Sequence, residues 1–515
     1  MNESNERKKG AILSYVSIAV GTLIQLLYTP LLIRMLGQSE YGLYSLVNSI
    51  IGYLTVLDLG FGNAIVVFTA KYRAQKKFDE ERKLHGMFFV VFCIIGLIVA
   101  LIGLVLFFNI DNIFSATMTS KELHKTKIMM LILIFNLIVS FVFNIYSSIL
   151  NAYEKFVFQK VVSILNSLIK PIIMIPLLFL GYKSITLVVV ITIVNIIVLF
   201  SNYIYCRKKL NVRVKYQGFD KKIFKSIIAY SFWIFLGTIV DKVNWSVDNF
   251  ILGAVVGTTA VSIYSVAASL NTLFKNLSTA ISNVLLPKMT KMIAKNASSN
   301  DITNEFIKVG RIQYYIIFLM CTGLIMFGKE FIIAWVGKKY IESYYVALVL
   351  IIPICFPLIQ NLGLSIMQAM NKYKFKSVST FIMAIFNVFI SIFLSKKYGP
   401  LGAAMGTALA LILCNIILIN IYYYKVIKIN VIKFWKSIAK MTIPFFIPIV
   451  IVLLLSNLFE ITGVKFILVY GSIYTILYCN VAYFIVMNDY EKNIIHKFVK
   501  NILKLLKRRN KHETN

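Results

Sequence analysis

Apolar residues run along this chain in long blocks, each about the length of a membrane-spanning helix, separated by short and mostly basic stretches. Fourteen helical spans are predicted, near 10–33, 43–69, 86–108, 127–150, 158–180, 184–205, 225–252, 260–285, 307–328, 343–370, 376–395, 400–424, 441–458 and 464–487. The blocks are too long for barrel strands, and only 9 prolines interrupt 515 residues, so the spans read as helices. No connecting stretch is long enough to fold as a domain. The fold class is therefore an all-α polytopic membrane protein with 14 transmembrane helices.

Composition excludes the soluble alternatives. Hydrophobic residues make up 59% of the chain and charged residues 15%, against roughly 25% charged in an ordinary soluble domain. The net charge of +33 would suggest nucleic acid in a soluble protein. Here the basic residues sit between spans, where they orient the chain, and no nucleic-acid partner is expected. Counting loops alternately, one side of the membrane holds 40 lysines and arginines and the other 11, with Lys170, Lys242 and Lys275 inside spans. The positive-inside rule then places both termini in the cytoplasm. The 6 cysteines form no CxxC pair and the 4 histidines no HExxH, so no metal site is expected. Gly323–Lys329 reads GxxxxGK, but Glu330 follows and a membrane span surrounds it, so it is no phosphate loop.

A repeat is visible. A shift of 220 places Leu32, Gly37, Tyr44, Ser45 and Asn63 on Leu252, Gly257, Tyr264, Ser265 and Asn283. A shift of 217 places Asn144, Ser148, Ala152, Lys155 and Phe158 on Asn361, Ser365, Ala369, Lys372 and Phe375. Polar matches at a fixed offset are harder to obtain by chance than apolar ones. The chain divides into a six-helix bundle at 1–205, a basic cytoplasmic linker at 206–224, and a second six-helix bundle at 225–424. Two further helices at 425–487 and a basic tail at 488–515 complete it. Six is even, so the two copies enter the membrane in the same direction, as parallel repeats.

Six full charges lie inside the spans: Asp58, Lys170, Asp241, Lys242, Asp248 and Lys275. Charge in a bilayer is costly, and such groups mark a polar path or pair with one another. Asp241, Asn244, Trp245 and Asp248 share one face of the seventh span. The matching face of the first span carries Ser14, Ser17, Gly21, Gln25 and Tyr28, with Gly21 at the place of Asp241 and Tyr28 at that of Asp248. The eighth span aligns Asn271, Lys275, Ser278 and Ser282. Asn136, Ser140, Asn144, Ser147 and Asn151 in the fourth span, and Asn361, Ser365 and Gln368 in the tenth, serve either as glue between helices or as cavity lining. Lys170 precedes Pro171, with Pro176 beyond, where a bend is expected. The Gly/Ala face of the twelfth span, from Gly402 to Ala410, permits close packing and needs no chemistry.

Four segments carry a family resemblance: LDLGFGNAIVVFTAKY at 57–72, NAYEKFVFQKVVSILNSLIKP at 151–171, DNFILGAVVGTTAVSIYSVA at 248–267 and YGPLGAAMGTALA at 398–410. They resemble bacterial polysaccharide (O-antigen type) flippases of the multidrug, oligosaccharide-lipid and polysaccharide exporter superfamily. The resemblance covers nearly the whole chain, and fourteen helices favour the flippase branch over the usually twelve-helix drug exporters. It implies a multi-pass protein of the bacterial cytoplasmic membrane that turns an undecaprenyl-pyrophosphate-linked glycan from the cytoplasmic to the outer leaflet by alternating access. It further implies membrane lipids as partners, alongside other polysaccharide-assembly proteins. On that reading the cavity residues are Lys170, Lys275, Asp58, Asp241, Asp248, Asn244 and Gln25. The lysines would receive the pyrophosphate, and the aspartates would take sugar hydroxyls or a coupling H⁺ or Na⁺. No cofactor and no catalysis are expected. A lipid II-type flippase and a drug or cation exporter are the alternatives. A membrane polymerase or glycosyltransferase fits less well, because no outer loop shows paired carboxylates.

Overall fold

Gly37 and Gly257 each end a long helix with a positive φ, 82° and 121°, which turns the chain back into the next helix. They are one of the residue pairs matched by the 220-residue shift. The computed structural model describes residues 3–216, 218–295, 297–370, 372–459 and 461–496, and leaves aside some side chains within the first, ninth and tenth helices. Their regular elements are all helices, with no strand among the described residues. In chain order the helices are α1 (Glu3–Leu36), α2 (Gln38–Leu54), α3 (Phe61–Ala74), α4 (Phe78–Phe108), α5 (Ile110–Phe114), α6 (Ser120–Ala152), α7 (Phe156–Phe179), α8 (Ser184–Lys208) and α9 (Lys221–Val255). There follow α10 (Thr258–Ala294), α11 (Ser299–Trp335), α12 (Glu342–Ile359), α13 (Leu362–Ala369), α14 (Lys374–Leu411), α15 (Ile419–Tyr422), α16 (Val431–Thr442), α17 (Phe446–Leu458) and α18 (Val464–Val481). Among the described residues, eleven helical stretches are long and apolar enough to cross a membrane.

Three expected boundaries change. The second span is not one helix: Leu59 and Gly60 take left-handed backbone conformations between α2 and α3, and Asp58 stands at that break. The tenth span breaks at Gln360 and Asn361, shortly after Pro353 and Pro357 remove two backbone donors. The stretch before the thirteenth span is helical as α16. Its Val431, Phe434, Ile438 and Met441 are buried on one face while its lysines face outward, the pattern of a helix lying at a membrane interface.

The chain forms two compact units, residues 1–269 with 377–410, and residues 270–376 with 411–515. In the first unit α6 is the hub, packing on α2, α3, α4 and α8, while α7 packs along α1. Thr119 and Glu122 cap α6 reciprocally, and the Glu122 carboxylate also accepts from Ser39 Oγ at 2.6 Å and Thr258 Oγ1 at 2.8 Å. One acid thus ties together the two glycine turns at 37 and 257. Below it, α2 and α10 approach so closely that a Cβ on Gly42 would overlap the Thr258 backbone carbonyl. Gly42→Ala is expected to destabilise the first unit by about 1–3 kcal/mol, measured as a lower melting temperature in detergent. An unchanged melt would show that this contact yields easily.

In the second unit α11 packs on α12, α16 and α18. The Phe434 ring covers Gly310, and the Tyr423 hydroxyl covers Gly363, so closely that neither glycine could carry a side chain there. Two contacts recur at the repeat offsets. Phe158 stacks on Tyr205 with ring centroids 4.1 Å apart, and 217 residues later Phe375 stacks on Tyr422 at 4.2 Å. Asn144 Nδ2 donates to Asp58 Oδ1 at 2.8 Å, and Asn361 Nδ2 donates to Ser278 Oγ at 3.3 Å.

Candidate transport site

The seventh predicted span is the middle and end of α9, and Asp248 is its last acid before the turn at Gly257. Asp248 is fully buried, with 0% of its surface exposed. Tyr264, on α10, donates its hydroxyl to Asp248 Oδ2. Thr407 Oγ1, on α14, donates to the same oxygen at 2.6 Å. Behind Thr407 stands Asn387, whose Nδ2 donates to Thr407 Oγ1 at 3.2 Å. Ser391, one turn beyond Asn387, donates its hydroxyl to Asn387 Oδ1 at 2.9 Å. The result is an ordered file of donors, Ser391 to Asn387 to Thr407, ending on one carboxylate oxygen.

The other oxygen, Asp248 Oδ1, is buried without a hydrogen-bond partner. No ion pair reaches Asp248 among the described residues. A carboxylate removed from water with one oxygen unanswered needs a proton or a bound cation to neutralise it. The carboxylate and the linked Thr407, Asn387 and Ser391 oxygens are of the kind that small hard cations take. No group of three or more His, Cys, Asp or Glu side chains able to hold a metal occurs among the described residues.

Thr407 sits on the Gly/Ala face that the sequence suggested was for packing alone. The small neighbours do pack closely, since a Cβ on Gly406 would overlap the Ser391 hydroxyl. That closeness brings α14's two halves together around the kink at Gly399 and sets Asn387 and Ser391 opposite Thr407. Asn387 and Ser391, four residues apart, were the readable signal that went unused.

The other expected site residues are placed as follows. Asp58 caps the break before α3, with Asn144 donating to it and the backbone N–H groups of Gly60 and Gly62 turned toward it. Lys170 is half-buried on α7, which continues as one helix through Pro171 and Pro176. Gln25 donates to the Ser269 carbonyl at 3.4 Å. These three lie in the first unit with Asp248, whereas Lys275, half-buried on α10, belongs to the second. Asp241 and Asn244 fall on α9, but their side chains lie outside the described residues. The Tyr28 hydroxyl, at the place matching Asp248, is buried without a partner. The amide stripes are partly glue: Asn195 Nδ2 bridges Asn136 Oδ1 and Ser140 Oγ at 2.6 and 2.8 Å, holding α8 to α6.

Comparison with known proteins places this arrangement. Residues 8–293 match the family described as polysaccharide biosynthesis protein. The chain belongs to that family. Among curated relatives of this family member, a putative O-antigen transporter of Shigella flexneri is 24% identical over 426 residues, covering 80% of this chain and 97% of that protein. The capsular polysaccharide biosynthesis protein CapF of Staphylococcus aureus is 24% identical over 226 residues, covering 43% of this chain and 54% of CapF. Among solved structures, the lipid II flippase MurJ in an inward closed conformation superposes with a TM-score of 0.71 at 20% identity, over 92% of this chain and 97% of MurJ. An inward-facing multidrug resistance MATE transporter of the MOP superfamily gives 0.64 at 13% identity, over 78% and 96%. The resemblance drawn from the sequence to polysaccharide flippases of that superfamily is borne out, and the fold is that of MurJ and the MATE transporters.

Proposed function

We propose that this protein is a flippase for an undecaprenyl-pyrophosphate-linked glycan, carrying it from the cytoplasmic to the outer leaflet by alternating access. The observation that carries the reading is the family match across more than half of the chain, on an all-helical fold with many membrane spans. A lipid-linked sugar poses the problem such a fold answers: the tail stays in the bilayer while the charged and hydroxylated head needs a wet path. Lys170 and Lys275 receive the pyrophosphate. Asp58, Asp241 and Asp248 serve the sugar or a coupling ion, and Asn244 and Gln25 are the further cavity residues. The oxygen-lined surroundings of Asp248 favour it as the seat of a coupling H⁺ or Na⁺.

Fourteen spans in two parallel six-helix repeats, with both termini cytoplasmic, remain part of this reading. Its supports are the kink at Gly399, which divides the stretch 374–427 into two crossings, and the long helices α9 and α10. The paired contacts Phe158–Tyr205 with Phe375–Tyr422, and Asn144–Asp58 with Asn361–Ser278, support the duplication.

The test is reconstitution of the full chain into liposomes carrying a fluorescent undecaprenyl-pyrophosphate-linked oligosaccharide, read by a membrane-impermeant glycosidase. Accessible glycan is expected to rise from one leaflet's share toward completeness only with protein present. No rise would overturn the reading. Lipid II is the second substrate to offer, because the MurJ likeness spans 92% of this chain. Uptake of an organic cation instead would make the protein a drug exporter.

A further inference from the structure

The cleft bordered by α1, α6, α7 and α8 shares no lining residue with Asp248 and its hydrogen-bond partners. It lies wholly within the first unit and has a volume of about 540 Å³, within the roughly 300–1,000 Å³ usual for small-molecule sites. Its lining is unusual for a space between membrane helices. Ser147, Asn151, Gln159, Lys160, Asn166 and Asn202 all face it, and no carboxylate does among the described residues.

The amides divide into two groups. Asn136, Asn144 and Asn195, farther along α6 and α8, have oxygen partners across the helix interfaces. Asn166 on α7 and Asn202 on α8 do not: the side-chain oxygen of each is buried with no hydrogen bond. Asn202 is only 7% exposed. Two buried amide carbonyls left unanswered at the wall of an open cleft are sites prepared for donors from outside the protein. Hydroxyl groups are such donors. Lys160 supplies N–H groups on the same wall, and Lys170 lies ten residues on along α7, roughly 15 Å farther by helical rise. Among the described residues one ammonium lines the cleft, with amides and hydroxyls around it, a setting that suits a hydroxyl-rich sugar.

We propose that this cleft binds a neutral, hydroxyl-rich sugar unit, with the Asn166 and Asn202 carbonyl oxygens accepting from its hydroxyls and Lys160 donating to its oxygens. The inference rests on the flippase reading and gives the glycan end of the substrate its own place, apart from the proposed coupling-ion seat at Asp248.

The test uses the full chain in lipid nanodiscs and saturation-transfer NMR with N-acetylglucosamine, galactose and rhamnose offered singly. At least one sugar should show transfer. Asn166→Leu and Asn202→Leu should each reduce it at least fivefold, and Lys436→Gln, on the exposed face of α16, should leave it unchanged. A second measurement avoids altering the buried amides. With the six native cysteines replaced, Ser163→Cys at the exposed rim should react with a water-soluble maleimide at least threefold more slowly when the binding sugar is present. No transfer from any sugar, or transfer that survives both leucine variants, overturns the proposal and leaves a water-filled cleft only. Absence of rim protection overturns it equally. Normal glycan flipping by variants that bind no sugar would sink this inference and spare the flippase reading. Sugar binding by a protein that flips no lipid-linked glycan would do the reverse.

Discussion

Asp248→Asn is expected to reach the membrane in normal amount yet to flip lipid-linked glycan at least tenfold more slowly, a loss of about 1.4 kcal/mol of transition-state stabilisation. Asparagine keeps the size of the side chain and an oxygen for the hydroxyls of Tyr264 and Thr407, so what it removes is the charge. Alanine would also strand those two hydroxyls and is expected to cost stability as well. The decisive measurement is flipping under an imposed Na⁺ or H⁺ gradient. The natural protein should respond to one of them and the asparagine variant to neither. Thr407→Val and Asn387→Ala should fall between the two, because each removes one oxygen from the file. Were Asp248 only a structural counter-charge for Lys275, the double variant Asp248→Asn/Lys275→Gln would recover transport. The hydroxyl surroundings of Asp248 predict that it stays inactive. A fully active, gradient-responsive Asp248→Asn protein would refute the assignment.

The second large effect is expected at the far end of the chain. Arg311 grips Glu491 through two parallel bonds, Nε to Oε1 at 2.6 Å and Nη2 to Oε2 at 2.8 Å. The Tyr315 hydroxyl and the Asn488 backbone N–H add bonds to Oε2 at 3.0 Å each. The side chains are 15% and 4% exposed, so this pair is buried. Burial pushes the Glu491 carboxyl up, but the bonds from Arg311 outweigh it and hold the group below its usual range. Removing one partner of such a pair typically costs about 3–5 kcal/mol. Glu491→Ala should therefore open the Lys492 bond to trypsin at neutral pH, while in the natural protein that bond is cut more slowly. The sign in acid follows from the lowered value. The stabilisation is complete above the ordinary glutamate pKa of about 4.3 and disappears as the pH falls through the lower folded one. Natural and variant melting temperatures should differ at pH 7 and converge in strong acid. Equal melts at pH 7 would show that the pair anchors nothing.

What the sequence disclosed and what it hid divide along physical lines. Long apolar blocks and the sorting of lysines between loops are one-dimensional signals, and the all-helical, many-span fold follows from them. Asp248 was legible for the same reason, because a charge in an apolar block is conspicuous. Its partners were not. Tyr264, Asn387, Ser391 and Thr407 are ordinary side chains whose meaning comes from the kink at Gly399 and the contact of α14 with α9 and α10, neither of which has a local signature strong enough to read. Asp58 shows the opposite error. Its block looked continuous, and only the left-handed residues Leu59 and Gly60 turn an acid within a helix into one at a helix start. The fourth-span amides carried two meanings at once. Asn136 and Asn144 bind helices together while Ser147 and Asn151 open on the cleft, a split decided by neighbours distant in the chain.

The two proposed repeats differ where it matters for energy supply: Asp248 stands in the second copy, and Tyr28 holds the matching place in the first. On the proposed reading with Asp248 as the one ion seat, one monovalent cation moves inward for each glycan outward. A pyrophosphate diester leaving the cytoplasm carries about two negative charges, so both movements run with an interior-negative membrane potential. At about 2.3 kcal/mol per charge per 100 mV, three charges draw roughly 7 kcal/mol from the voltage in each cycle. Turnover would then be electrogenic, and collapsing the potential with valinomycin and K⁺ would stall it even where the cation gradient was kept.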